Sequence, residues 1–372
     1  MKNLHGIIFS YERQNALKEL TATRSPASVP FAGRYRMVDF VLSSMVNAGV
    51  CDVGVILNGD YRSLLNHLGS GKDWDLSHKH GSLRLLPPFS YNHSGYQPDF
   101  RGKMDALYSV RSYLQEIRQS HVVLADSDLV ANIPLREVFQ EHLSSGADIT
   151  AVCTGRVGTS TEDATFFRLD EEGRITDTMI NLHNGHGLYR SLDVFILSKE
   201  LLLQLVDECA SADQYSFCRS VLQGRAGQLR LNSYLWDGYA VQIHSLQEYY
   251  DDSMALLDST VRREIFHPAR PVHTKERNES STYIDPDGVC VNSLVADGCT
   301  IEGTVENSIL FRGVTVARGA KVKDCILMQG TTVARDAVLQ CVITDKNVQV
   351  QTGRTLIGCQ EYPMAIAKNT RF

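Results

Sequence analysis

Apolar residues recur along the chain with different periods, and the change of period divides it. Ile7, Ile8 and Phe9 form a continuous apolar run, the pattern of a parallel strand covered on both faces. Met37, Val38, Val41, Met45 and Ala48 then repeat at helical spacing, with Gly49 placed to end the helix. Residues 53–57 read as a second strand, and this βαβ start predicts a parallel sheet covered by helices. Met104, Leu107, Val110, Leu114 and Ile117 mark a further amphipathic helix. Strands are expected at 122–125, 149–154 and 194–197, and helices at 199–206 and 248–257.

From Cys290 onward Val305, Leu310, Val316, Val322, Leu327, Val333, Val338, Ile343 and Val348 recur every five or six residues, among regularly placed glycines. A spacing near six is the mark of hexapeptide coils, in which each short strand forms one face of a triangular β-helix. A β-sandwich would show period two with hairpin turns, and the two Asp-Gly pairs of the C-terminal region, at 287–288 and 297–298, both precede Val305, the first apolar position of the repeat. The expected organisation is an α/β domain over 1–258, a linker over 259–284 and a β-helix over 285–372.

Chemistry-bearing residues fall in the turns. The turn after the first strand, Ser10 to Ala16, contains no glycine and carries Glu12. Phosphate-binding turns use glycines so that backbone N–H groups approach the phosphate oxygens unobstructed, so this opening keeps the frame of a nucleotide site without its cradle. Residues 24–36 form a Pro- and Gly-punctuated loop with Arg24, Arg34 and Arg36, and 60–101 is rich in loop-forming residues. Asp126, Ser127 and Asp128 follow a strand, where open α/β sheets bind ligands.

Composition narrows the classes. The chain has 372 residues, enough for two domains, with 22% charged residues and a net charge of −6, which gives no general attraction to nucleic acid or an anionic membrane. No apolar run approaches the ~18 residues of a membrane span and the N-terminus has no signal-peptide pattern, so a cytoplasmic location is expected. The nine cysteines include no Cys-x-x-Cys pair and read as reduced structural thiols. A hexapeptide acyltransferase would need a histidine base on its β-helix, and residues 281–372 contain none.

The segment Arg24 to Phe40, RSPASVPFAGRYRMVDF, resembles the R-A-K-P-A-V-P-F-G-G-K-Y-R-I-I-D-F motif of the ADP-glucose pyrophosphorylase (glucose-1-phosphate adenylyltransferase) family. Arg101 to Ala106, RGKMDA, is similar to that family's R-G-T-A-D-A, and residues 291–299 and 345–358 resemble the start and end of its β-helix. The resemblance implies a Rossmann-like, GT-A-like nucleotidyltransferase domain followed by a left-handed parallel β-helix. The departures fall on the chemistry. Against the family's phosphate loop A-G-G-x-G-x-R-L-x-x-L-T, the glycines become Tyr11, Glu12 and Gln14 and the arginine becomes Ala16. The lysine of R-A-K-P falls on Pro26, the adenine-recognising T-Q-Y on residues 58–60, the two metal aspartates on Ser127 and Gln242, and the sugar-phosphate lysine on Asn181.

Nucleotidyl transfer needs an attacking phosphate in line with the α-phosphorus, with Mg²⁺ and basic groups offsetting the developing charge. The resemblance therefore implies a non-catalytic, GlgD-type regulatory subunit of glycogen biosynthesis that needs no cofactor. Its expected partner is a GlgC-type catalytic subunit in a hetero-oligomer, with a tetramer as the expected assembly and a phosphorylated sugar as the candidate effector. Arg34, Arg36, Arg270, Lys275 and Arg277 are the candidate effector-binding residues, with solvated surface charges or subunit contacts as the alternative for them. Two other readings stay open. One is an active adenylyltransferase in which Asp105, Asp126 and Asp128 hold Mg²⁺, and the other is a scaffold subunit.

Overall fold

The computed structural model describes residues 3–10, 17–78, 81–88, 100–156, 164–182, 185 and 187–372. The chain divides into two compact units made of non-adjacent segments. The first comprises Met1–Arg13, Val38–Gln242 and Phe266–His273, and the second Gln14–Met37, Ile243–Ile265 and Thr274–Phe372.

The first unit is built on a ten-stranded sheet, counted among the described residues. Its strands are β1 (Leu4–Phe9), β2 (Asp52–Ile56), β3 (Ser77–His78), β4 (Gly81–Leu86) and β5 (His121–Asp126). A short strand outside the sheet, β6 (Leu129–Ala131), follows, and the sheet continues with β7 (Ile149–Thr154), β8 (Thr165–Leu169), β9 (Ile175–Ile180), β10 (Tyr189–Ser198) and β11 (Leu231–Leu235). Every residue of β1 is buried, as a strand with both faces covered requires. β1 pairs in parallel with β2 on one side and with β5 on the other. The strand order therefore reverses at β1, and the crevice at the carboxyl ends of β1 and β5 is the place where such sheets bind ligands.

The βαβ start predicts a parallel sheet, and the sheet is parallel only in part. β10 runs antiparallel to β5 and β7, and β8 antiparallel to β9. In β9 only Ile175 and Thr178 are buried, so its apolar signal is too thin to read from the sequence. After α1 (Met37–Asn47) and α2 (Arg62–Leu68), the helix expected across 104–117 is two helices, α3 (Lys103–Ser109) and α4 (Arg111–Glu116), separated at Val110. Its apolar period survives the break because Met104, Leu107, Val110, Leu114 and Ile117 all enter the same core. The loop-rich stretch 60–101 contains the helix Arg62–Leu68 and strands β3 and β4, anchored by the buried Leu64, Leu68, Trp74 and Leu76.

The second unit holds three five-stranded parallel sheets, each taking one short strand from each successive coil, the arrangement of a left-handed parallel β-helix. Ile301, Val316, Val333 and Val350 stack in register along one sheet and Val305, Val322 and Leu339 along another, all buried. One corner of the coil turns through Gly298, Gly313 and Gly330 and then Asn347, each at positive φ between 58° and 74°. Those are residue types that reach the left-handed region at low cost. The hairpin of Pro30–Phe31 and Tyr35–Arg36 belongs to this unit, where the Tyr249 hydroxyl donates to the Pro30 carbonyl at 2.7 Å. Residues 259–265, inside the stretch expected as linker, form the helix Ser259–Ile265 with Ile265 buried. All nine cysteines are free. Among the described residues no helix is long and apolar enough to cross a membrane.

Candidate functional site

At the carboxyl end of β5 the Asp126 carboxylate accepts a hydrogen bond from the Lys103 ammonium at 2.7 Å. The same ammonium stands 3.6 Å from Asp193. Lys103 is the first residue of α3, and its Nζ lies 5.9 Å from the centre of the Phe9 ring and 5.7 Å from that of Phe195. Asp193 reaches this point through an irregularity in β10. Ser191 and Val194 are opposite adjacent residues of β7, so Leu192 and Asp193 bulge out of the ladder, and Asp193 adopts φ +53°. A bulge re-aims a side chain at the end of a strand, and the Asp193 N–H donates to the Ser191 hydroxyl at 3.1 Å to hold the turn. The Gln242 amide, on β12 (Ala240–Gln242), donates to the other Asp193 oxygen at 3.1 Å.

The electrostatics follow from one cation among three carboxylates. Burial opposes the Lys103 charge, but Asp126 and then Asp193 outweigh it, and the ammonium is held well above its ordinary range. Burial raises the Asp126 carboxyl, Lys103 pulls it back, and Asp193 and Asp128 push it further up. Asp126 Oδ1 is buried with no hydrogen-bond partner among the described residues. Mg²⁺ demands a near-octahedral set of oxygen ligands at about 2.0–2.1 Å. Here an ammonium sits against the carboxylates and an amide N–H occupies the second Asp193 oxygen, so these residues do not fit the metal that the fold family implies. Among the described residues no group of three or more His, Cys, Asp or Glu side chains is placed to hold a metal ion.

The remaining predicted positions are spread more widely. Asp105 accepts from the Arg101 N–H at 3.0 Å and from its guanidinium Nε at 3.3 Å, and so is engaged with its own loop. Asp128 is buried beside the cluster, and its charge acts on Asp126. Ser127 is buried, with its N–H donating to the Phe9 carbonyl at 3.1 Å. Asn181 follows β9 at φ +58° and donates its N–H to Ala164 O at 3.0 Å, and Pro26 opens a short 3₁₀ turn. Glu12 and Ala16 lie outside the described residues.

The second unit gathers basic groups. The Arg24 guanidinium donates to both oxygens of Asp345, at 2.8 and 2.6 Å, with both side chains almost fully buried. Next in the chain, Lys346 is pushed down to about 7 by burial, then by Arg36 and Arg24, against the opposing pull of Asp345, with Arg277 adding to the fall. Arg312 is lowered by burial and by the Arg34 and Arg277 charges. Two members of this group, Arg312 and Lys346, sit at the glycine corner of the coils. Gly313 N–H donates to Asp297 O, Gly330 N–H to Arg312 O and Asn347 N–H to Gln329 O, so Asp297, Arg312, Gln329 and Lys346 occupy equivalent places on successive coils. Arg312 and Lys346 are thus two coils apart, roughly 10 Å at the usual interstrand spacing. Arg34 pairs with Asp297 at 2.6 Å at the surface. Arg24 Nη1 and Arg312 Nε are buried with no hydrogen-bond partner among the described residues.

Of the predicted effector residues, Arg34, Arg36 and Arg277 join this group, together with Arg24 of the same loop as Arg34 and Arg36, and with Arg312 and Lys346, which sequence reasoning did not single out. Lys275 lies on the same segment two residues from Arg277. Arg270 is placed in the first unit, its Nε donating to Asn132 Oδ1 at 3.2 Å and its guanidinium 6.0 Å from the centre of the Trp236 ring. Lys103 and Asp193 were likewise not singled out. The one available signal was a lysine standing where the R-G-T-A-D-A motif has threonine.

The Nucleotidyl transferase family profile matches residues 14–177, and that of the GlmU-like, C-terminal hexapeptide family matches residues 268–362. A Bacillus subtilis (strain 168) protein named glycogen biosynthesis protein GlgD is 34% identical over 363 residues, which cover 98% of this chain and 95% of that one. A Geobacillus stearothermophilus protein of the same name is 36% identical over 322 residues, 85% of this chain and 82% of its own. A glucose-1-phosphate adenylyltransferase of Geobacillus stearothermophilus is 29% identical over 315 residues, 82% of this chain and 80% of its own.

Proposed function

Because this chain belongs to the GlgD family of glycogen biosynthesis proteins, we propose that it serves glycogen synthesis as a catalytically degenerate subunit of ADP-glucose pyrophosphorylase, pairing with a GlgC-type catalytic subunit and modulating it. The observation that carries the reading is the seating of Lys103 among the strand-end carboxylates, with Gln242 on Asp193. A nucleotidyl transfer site needs its positive charge on the phosphates, where it offsets the charge of the transition state. Here the cation neutralises the protein's own carboxylates. Removing one preorganised electrostatic partner costs roughly 10²–10³ in rate, so losing several leaves negligible turnover even though such losses do not multiply.

The basic group of the second unit supports the modulating half of the reading. Arg36, Arg24 and Arg277 raise the cost of charging Lys346, and Arg34 and Arg277 that of charging Arg312, and a phosphorylated sugar would relieve it through charge-assisted hydrogen bonds. Binding of such an anion raises Lys346, so the complex takes up a proton near pH 7 and affinity falls as pH rises above it.

The test is pyrophosphate-linked formation of ADP-glucose by the purified chain alone, by a GlgC-type subunit alone and by the two mixed. The expected result is no turnover by this chain and a changed rate, substrate affinity or effector response in the mixture. Turnover by the chain alone would establish the adenylyltransferase reading. Co-purification with unaltered kinetics would leave a scaffold.

A further inference from the structure

The first unit keeps carboxylates at its strand ends and keeps a cation with them, but the cation is part of the chain. We propose that Lys103 is a tethered counter-ion that takes the place of a divalent metal between Asp126 and Asp193, closing a latent divalent-cation site that opens when the ammonium is removed.

Three observations carry this. The ammonium is in hydrogen-bond contact with Asp126 and within ion-pair distance of Asp193, two carboxylates from different strands, one of them delivered by a bulge. The second oxygen of Asp126 is buried and has no hydrogen-bond partner among the described residues, which leaves acceptor capacity that a lysine on the other oxygen does not use. Finally, Lys103 is poorly placed to leave, since its stem starts α3 and its charged end lies near the faces of two buried rings, Phe9 and Phe195.

Competition between the two cations is decided by tethering. A metal ion must shed water to enter, and Mg²⁺ does so reluctantly. The ammonium is attached to the site and its effective concentration does not fall on dilution. Mg²⁺ needs only one or two protein carboxylates when water completes its shell. Asp126 and Asp193 therefore suffice once Lys103 is gone, with Asp128 adding negative charge nearby. This inference stands apart from the pairing proposed above, because metal binding is read on the purified chain with no partner present.

The experiment is a Mn²⁺ titration of the full chain near pH 7.5, following free Mn²⁺ by electron paramagnetic resonance, with Lys103→Met, Lys103→Arg and Lys103→Met/Asp193→Asn beside the wild type. The wild type and Lys103→Arg are expected to show no saturable site below millimolar Mn²⁺. Lys103→Met is expected to bind one Mn²⁺ per chain at least tenfold more tightly than wild type, and the added Asp193→Asn to abolish that gain. One saturable Mn²⁺ on the wild type, lost in Asp126→Asn, overturns the proposal. So does a cooperatively unfolding Lys103→Met that binds no better than wild type. If Lys103→Met unfolds in chelator but refolds with Mn²⁺, the tethered-cation reading is supported. If it folds under neither condition, Lys103→Gln takes its place in the titration, with the same gain expected and the same lack of gain overturning the proposal.

Discussion

The two charged clusters of this protein are built oppositely. At the strand ends of the first unit, acidic side chains outnumber the one ammonium, which is drawn onto them. In the second unit basic side chains crowd together, Asp345 answers Arg24, and a lysine is driven to about 7 by burial and by its neighbours. The first arrangement satisfies its cation internally. The second holds cations that repel one another, a state that an incoming anion improves. On the function proposed above, loss of catalysis and retention of binding capacity would be separate properties located in separate units.

The contrast breaks most severely at Asp345. Arg24 and Asp345 are 2% and 1% exposed at the side chain, so Asp345→Ala leaves a buried guanidinium with no carboxylate. Breaking a buried pair from one side typically costs about 3–5 kcal/mol. Urea unfolding of Asp345→Ala is expected to show that loss, with Asp345→Asn in between. A loss below about 1 kcal/mol would mean that Arg24 finds another acceptor and that the cluster does not depend on this pair.

Next in size is the pH response of Lys346. Its folded value of about 7 lies below the ordinary ammonium value of about 10.4 in an unfolded chain. Between these limits the unfolded state binds more protons, so this group makes the protein more stable as pH rises from about 7 toward 10. Lys346→Met is expected to flatten that part of the stability profile and to be relatively more stable than wild type at pH 6. Saturating hexose bisphosphate is expected to flatten it too, because a bound anion keeps the lysine charged. Identical slopes in wild type and Lys346→Met, measured by denaturant titration at pH 6 to 9, would remove Lys346 as the titrating group.

A smaller effect separates support from occupancy in the first unit. Gln242→Ala removes one hydrogen bond to Asp193, worth roughly 0.5–1.5 kcal/mol. Thermal unfolding is expected to fall by that amount with Mn²⁺ binding unchanged, because Lys103 still occupies the carboxylates. A gain of Mn²⁺ binding in Gln242→Ala would show that the amide, rather than the ammonium, keeps the metal out.

These clusters were unequally legible in the sequence. The fully buried β1 and the hexapeptide coils announce themselves because burial imposes an apolar period on them. The degenerate positions Gln242 and Ser127 were visible by comparison with motifs, since each is a change of residue type at a fixed place. Asp193 was not, because it acts through a bulge, and a bulge is an interruption of the pattern being read. The basic group was half visible. Arg34 and Arg36 sit in a motif and Arg277 in the neighbouring segment, but Arg312 and Lys346 are brought to them by the stacking of coil corners, which no short sequence window spans. Arg270, close to Arg277 in sequence, falls in a segment of the first unit.

The smallest expected change in stability is at Asp297, and it sharpens the comparison most finely. Its ion pair with Arg34 is 2.6 Å long but both side chains are more than 40% exposed. Exposed pairs contribute roughly 0–1 kcal/mol, so Asp297→Asn is expected to leave the unfolding midpoint nearly unchanged. Its effect on binding has the opposite weight. Asp297, together with Glu279, opposes the fall of Arg312, and neutralising Asp297 leaves the basic group less balanced and Arg34 without its carboxylate. Calorimetric titration with inorganic phosphate or a hexose bisphosphate is expected to show several-fold tighter binding in Asp297→Asn, with the difference shrinking as salt is raised. Unchanged or weaker binding in this variant would mean that Arg34 and Arg312 do not face the anion, and would restrict the site to Arg24, Arg36, Arg277 and Lys346.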